Sequence, residues 1–130
     1  MPTRPLSPHL SVYKFKYTLT TSILNRVSGL GLSLGLPLLV YWLMAVAGGA
    51  RTHARAARLL SLPLMKLIYL GLIVCFCYHL SAGIRHLVWD TGRGLERAQA
   101  QRSAWLVGAV SVALSAIVAY CAWQAGARGP

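Results

Sequence analysis

Two histidines, His79 and His86, stand seven residues apart in the stretch CYHLSAGIRHLVWD at 77–90. The first lies inside an uncharged apolar run, Leu67–Ile84. An ionisable residue in such a run is costly; it either marks a functional position or is a neutral histidine hydrogen-bonded to a neighbouring helix. On a helix, His79, Ala82, Gly83 and His86 fall on one face, with the two histidines about 10 Å apart along the axis. Ala82 and Gly83 leave a shallow strip on which a flat macrocycle can approach the backbone. Haem iron is commonly held by a histidine nitrogen. His79 is therefore a candidate iron ligand, Gly83 part of the pocket, and His86 a candidate contact for the propionate edge. The two cannot bind one iron together, because axial ligands approach from opposite sides of the ring. The remaining histidines, His9 and His53, lie outside the apolar runs. A second histidine ligand would come from another polypeptide or a second copy of this one.

Other polar groups gather near the same end. Arg85 is placed to meet a propionate, to pair with Asp90, or to reach lipid headgroups. Asp90 and Glu96 are the only acids in the chain. Together they suggest a local salt bridge, or else a proton route. In TTSILNRVSG, residues 20–29, Ser22 and Arg26 share a helix face, flanked by Asn25 and Gly29. By position alone, Ser22 is a helix cap and Arg26 a topogenic charge. The same hydroxyl, amide and guanidinium can also bond a carbonyl of an amphipathic ligand such as a quinone.

The elements that must position these residues are membrane spans. The chain has 130 residues, of which 56% are hydrophobic and 12% charged. Three runs, Val27–Ala47, Leu67–Ile84 and Ser103–Ala127, carry no charge. About twenty such residues match the hydrocarbon thickness of a bilayer. An all-α membrane protein follows, with helices at about 21–47, 63–89 and 103–124 after a polar interfacial tail at 1–20. Gly31 and Gly35 form a G-x-x-x-G pair suited to close helix contact. Pro37 is expected to kink the first helix, and Gly48-Gly49 to end it. The segment that follows, ARTHARAARLLSLP, is a short basic loop. Pro63 fits the first turn of the second helix.

The net charge of +11 sits in the tails and loops. That favours lipid headgroups as partners and argues against nucleic acid, for which no soluble basic face exists. Eight basic residues flank the spans on the side of the N-terminus and five on the other. The N-terminus is therefore expected in the cytoplasm. It has no signal-peptide pattern, and no transit-like extension precedes Arg4, which points to a bacterial inner membrane rather than a mitochondrial one. Cys75, Cys77 and Cys121 lie in apolar runs, as small buried hydrophobes.

Three motifs carry a family resemblance. RPLSPHLSVY at 4–13, SILNRVSG at 22–29 and HLSAGIRHLVWD at 79–90 resemble the signatures of the cytochrome b membrane anchors of succinate:quinone oxidoreductase. The second is similar to S-x-x-H-R-x-[ST]-G and the third to H-x-x-x-G-x-R-H-x-x-x-D. The resemblance implies a three-helix subunit that shares one haem b with a second small anchor subunit. It implies His79 as the axial ligand, with the other ligand from the second anchor. Ser22 and Arg26 match quinone-pocket positions; Arg26 and His86 match positions near the propionates. Flavoprotein and iron–sulfur subunits are implied on the inner face. Electrons from succinate would then reach ubiquinone, linking the tricarboxylic acid cycle to the respiratory chain. Asn25 stands where the family usually has histidine; it can hydrogen-bond but cannot titrate near neutral pH.

The chain itself has no succinate-oxidising site, since it lacks a G-x-G-x-x-G fingerprint and a cluster-binding cysteine set. Two alternatives remain at this level: the anchor of a quinol:fumarate reductase, and a haem-free membrane scaffold.

Overall fold

Four α-helices organise residues 17–127, the part of the chain that the computed structural model describes: α1 (Tyr17–Ala47), α2 (Ala50–Leu60), α3 (Pro63–Asp90) and α4 (Arg97–Ala127). The interfacial tail expected at 1–20 lies outside the described residues as far as residue 16, and its last four positions already belong to α1. α1, α3 and α4 are each long and apolar enough to cross a membrane. With 28 to 31 residues, each exceeds the span of about 20 that a bilayer requires, so the helices tilt or project into the headgroups.

α3 is central and packs against both α4 and α1. The side chains between the helices are small: Ser28, Cys77, Ser81, Ala82, Ala100, Ala104 and Ser111 are buried, while Leu34, Leu67, Leu87 and Val112 point outward. This follows from the solvent. Lipid tails are as apolar as leucine, so helices associate through close packing rather than by hiding large apolar groups. The hydroxyls of Ser81 and Ser111 are satisfied by Cys77 O and Val107 O, four residues back on their own helices. Gly31 and Gly35 turn toward α3. A Cβ at Gly35 would lie 2.6 Å from Leu72 Cδ2, and one at Gly31 3.1 Å from Cys75 Sγ. The G-x-x-x-G pair thus serves contact within the chain.

The segment read as a loop after α1 is a helix. Gly49, at φ 89°, makes the turn, a conformation that a side chain would disfavour. The Thr52 hydroxyl sits 2.9 Å from Ala45 O and caps the end of α1. α2 then folds back on α1, with Ala56 fully buried and the His53 ring edge-on to Trp42 at 4.8 Å. Arg51, Arg55 and Arg58 occupy its exposed side. Their spacing gives a helix with one basic face, a period concealed by the short, charged composition. α4 also starts earlier than expected, at Arg97, because Ala100 and Ala104 pack against the bundle. Pro37 lies within α1, which continues through it.

Candidate functional site

His79 reaches across from α3 to α1. Its Nδ1 lies 3.1 Å from Asn25 O and 3.3 Å from Ser28 Oγ. Ser28 Oγ itself donates to Asn25 O at 2.9 Å. A carbonyl only accepts, so the arrangement that satisfies all three groups puts the proton on Nδ1. Nε2 then keeps its lone pair, and it has no hydrogen-bond partner among the described residues. A ring held in this way, with one nitrogen donating to a backbone carbonyl, is prepared to ligate metal through the other.

The recess that admits the ring is on the opposite helix. A Cβ at Gly29 would stand 3.0 Å from His79 Cε1. An apolar groove of about 690 Å³ extends from His79, walled by Gly29, Leu32, Gly35, Leu39, Leu72 and Phe76. The strip expected over Ala82 and Gly83 is only half open. A Cβ at Gly83 would meet nothing within 4 Å, but Ala82 is 2% exposed and packed inside the bundle. Its position on the wheel lies at the edge of the buried face, and the close approach of a neighbouring helix draws it in.

Arg85 also differs from expectation. Its Nε donates to Ser103 Oγ at 2.9 Å, Nη1 to Thr21 Oγ1 at 3.2 Å and Nη2 to Ala100 O at 3.0 Å. The guanidinium carbon lies 3.9 Å from the centre of the Trp89 ring. The residue is 7% exposed. It therefore faces into the bundle, tied to α1 and α4, instead of pairing with Asp90 or reaching lipid. The fork of donors is better satisfied by three fixed oxygens than by one exposed carboxylate. Asp90 and Glu96 are exposed, and the pairing of Asp90 with Arg85 is not formed. His86 is half-buried, with its ring edge-on to Trp89 at 5.3 Å. Trp89 is fixed in turn by its Nε1–H, which donates to Gly94 O at 3.1 Å.

Ser22 is half-buried and Arg26 exposed. The helix begins at Tyr17, so Ser22 is not its cap. Ser22, Asn25, Arg26 and Gly29 share one side of α1, and Ser22 lies about 10 Å along the axis from Gly29. The Asn25 side chain takes no part in holding His79; its Oδ1 is buried and has no hydrogen-bond partner among the described residues.

Residues 1–118 match the family described as succinate dehydrogenase/fumarate reductase transmembrane subunit. The chain belongs to this family. It is 40% identical over 114 residues to the succinate dehydrogenase cytochrome b556 subunit of Paracoccus denitrificans, covering 88% of either chain. It is 34% identical over 115 residues to the cytochrome b556 subunit of Rickettsia prowazekii, covering 88% of this chain and 90% of that one. It is 36% identical over 107 residues to the mitochondrial cytochrome b560 subunit of Sus scrofa, covering 80% of this chain and 63% of the pig protein. As a succinate dehydrogenase transmembrane subunit, it is an integral membrane component of an oxidoreductase complex and associates with the complex's other subunits.

Within that family frame, the residues around His79 sharpen the motif reading. Ser28 and Gly29, the last two positions of SILNRVSG, lie against the His79 ring together with the Asn25 carbonyl. The sequence reading centred on Ser22 and Arg26 and gave Ser28 no role. The signal was present in the [ST]-G ending of the motif. Thr21, Tyr78 and Trp89, which fix Arg85 or the first turns of α1, had no sequence signal beyond being polar or aromatic in an apolar setting.

Proposed function

We propose that this subunit holds a haem b together with a second small anchor subunit and forms part of a ubiquinone-reduction site. One observation carries the proposal most directly: His79 Nδ1 lies 3.1 Å from Asn25 O, and Nε2, with no hydrogen-bond partner among the described residues, is left at an apolar groove. The donor set suits haem: an imidazole nitrogen at the groove, a glycine recess for its ring and largely apolar walls, with Ser33 and Tyr69 the polar residues among them. His79 would hold the iron through a ring nitrogen, with a further ligand from the second anchor. His86 and Arg26 would hydrogen-bond the propionates, and Gly83 would let the macrocycle approach the helix. When bound, haem supplies one-electron redox capacity.

Ser22 and Arg26 bind the carbonyl oxygens of ubiquinone. Neither side chain has a hydrogen-bond partner among the described residues, so both keep their donors for a ligand. A hydroxyl and a guanidinium bind a quinone oxygen more tightly as negative charge builds on it. Asp90 and Glu96, both exposed on the same side of the bundle as these residues, are candidates for proton delivery. The flavoprotein and iron–sulfur subunits carry out succinate oxidation and pass electrons toward this site, and the chain has no succinate-oxidising site of its own. The N-terminus lies in the cytoplasm of a bacterium and the spans in its inner membrane. The family description also covers fumarate reductase, and the same residues serve electron flow in the reverse direction.

The test is a dithionite-reduced minus oxidised visible spectrum of membranes expressing the full complex, with wild type beside His79→Ala. A sharp b-type α-band that disappears in the variant, with the subunit still inserted, is the expected result. A wild-type complex without such a band would favour a haem-free scaffold. A band retained in His79→Ala would remove His79 as the ligand.

A further inference from the structure

Among the described residues, neither Ser22 nor Arg26 is oriented by a side-chain bond of its own; their position depends on where the α1 backbone sits. That backbone is gripped from α3 at Thr21, next to Ser22. Tyr78 Oη donates to Thr21 O at 3.1 Å, and Arg85 Nη1 donates to Thr21 Oγ1 at 3.2 Å. Tyr78 and Arg85 are seven residues apart and share a helix face. One turn further along α1, His79 holds Asn25 O. Ser22 therefore lies on a stretch of α1, Thr21 to Asn25, whose two ends are both bonded to α3, and Arg26 follows directly after it.

Arg85 is fixed by the other side of the bundle as well. Ser103 Oγ and Ala100 O of α4 take two of its donors, Ser103 itself donates to Ala100 O at 3.0 Å, and the Trp89 ring covers the guanidinium. A buried cation without a carboxylate is expensive to keep. The planar fork of arginine repays that cost by bonding α1 and α4 at once from α3, which the point charge of lysine does less well.

We infer that Thr21, Tyr78 and Arg85 form a strap that positions the quinone-binding turn of α1 relative to His79, so that they are positioning residues for quinone binding without touching the quinone. The inference rests on the placement of ubiquinone at Ser22 and Arg26. It predicts a specific kinetic pattern. Loss of a bond in the strap lets the Ser22 turn shift, which weakens quinone binding while the flavin and haem centres are unaffected.

The experiment uses the assembled four-subunit complex and compares Thr21→Val, Thr21→Ser, Tyr78→Phe, Arg85→Lys and Ser22→Ala. Thr21→Val is close to isosteric but lacks the oxygen that Arg85 holds. It should raise KM for a short-chain ubiquinone about tenfold, the factor that corresponds to about 1.4 kcal/mol, with kcat and the haem α-band little changed. Tyr78→Phe should act in the same direction. Thr21→Ser keeps the oxygen and should restore a KM near wild type. Arg85→Lys should behave like Thr21→Val or worse, and the other two substitutions keep the test decisive if that variant fails to assemble. An unchanged KM in both Thr21→Val and Tyr78→Phe overturns the strap. Ser22→Ala then identifies what failed: if it raises KM, only the strap is wrong, and if it does not, the quinone placement falls and the strap with it. A loss of haem in Thr21→Val, instead of a KM effect, would also overturn the inference, since the bond would then serve assembly.

Discussion

His79 Nδ1 lies 3.1 Å from the backbone carbonyl of Asn25, so that the proposed haem ligand of α3 is held by the main chain of α1. A backbone acceptor cannot be removed by mutating the residue that carries it. Asn25→Ala should therefore leave the reduced α-band in place. It also removes a buried amide oxygen that has no partner among the described residues, so stability should hold or rise slightly. The measurement is the difference spectrum together with the thermal midpoint of the purified complex. Loss of the band would mean that the side chain, and not the carbonyl, supports the ligand.

Gly29→Ala is the complementary change. The new methyl would stand 3.0 Å from His79 Cε1, too close unless the ring moves. Displacing the ring breaks a hydrogen bond worth about 1 kcal/mol and turns Nε2 away from its present direction. Haem content per complex should fall several-fold and the remaining band should broaden. A normal spectrum and full haem content would show that α1 shifts instead.

Ser22→Ala and Arg26→Leu separate the quinone reaction from the rest of the enzyme. Arg26→Leu removes charge-assisted bonds worth about 1.5–3 kcal/mol, so quinone reduction should fall by at least about tenfold. Succinate oxidation measured with an artificial dye acceptor should fall much less. Equal losses in the two assays would contradict a quinone role for these residues.

Ala82→Leu tests which face of α3 is buried. Ala82 is 2% exposed among the helices, and overpacking such a site costs about 1–3 kcal/mol. The thermal midpoint of the detergent-solubilised complex should fall. An unchanged midpoint would place Ala82 on an open face, as its position beside Gly83 had suggested.

Gly49→Ala addresses the turn into α2. A side chain at φ 89° is disfavoured by about 1–2 kcal/mol, and the return of α2 onto Trp42 depends on that turn. Proteolysis of the segment between α1 and α3 should become faster than in the wild type. Equal rates would mean that α2 forms without the turn.

The sequence by itself determined the spans, the position of an ionisable residue within one of them, and the motifs that relate this chain to its family. Long uncharged runs have one stable home, and a histidine inside such a run must be satisfied or used. Which side of each helix faces its neighbours was decided only in three dimensions. In water, the polar side of a helix announces the outside. In a bilayer both sides are apolar, so the rotation of α3 depends on where small residues allow contact and where stray polar groups find partners. That is why Arg85 turned inward to Thr21, Ser103 and Ala100, why Ala82 is buried while Gly83 stays open, and why the recess for His79 is Gly29 on another helix, fifty residues away in the chain and within contact distance only after α1 and α3 pack.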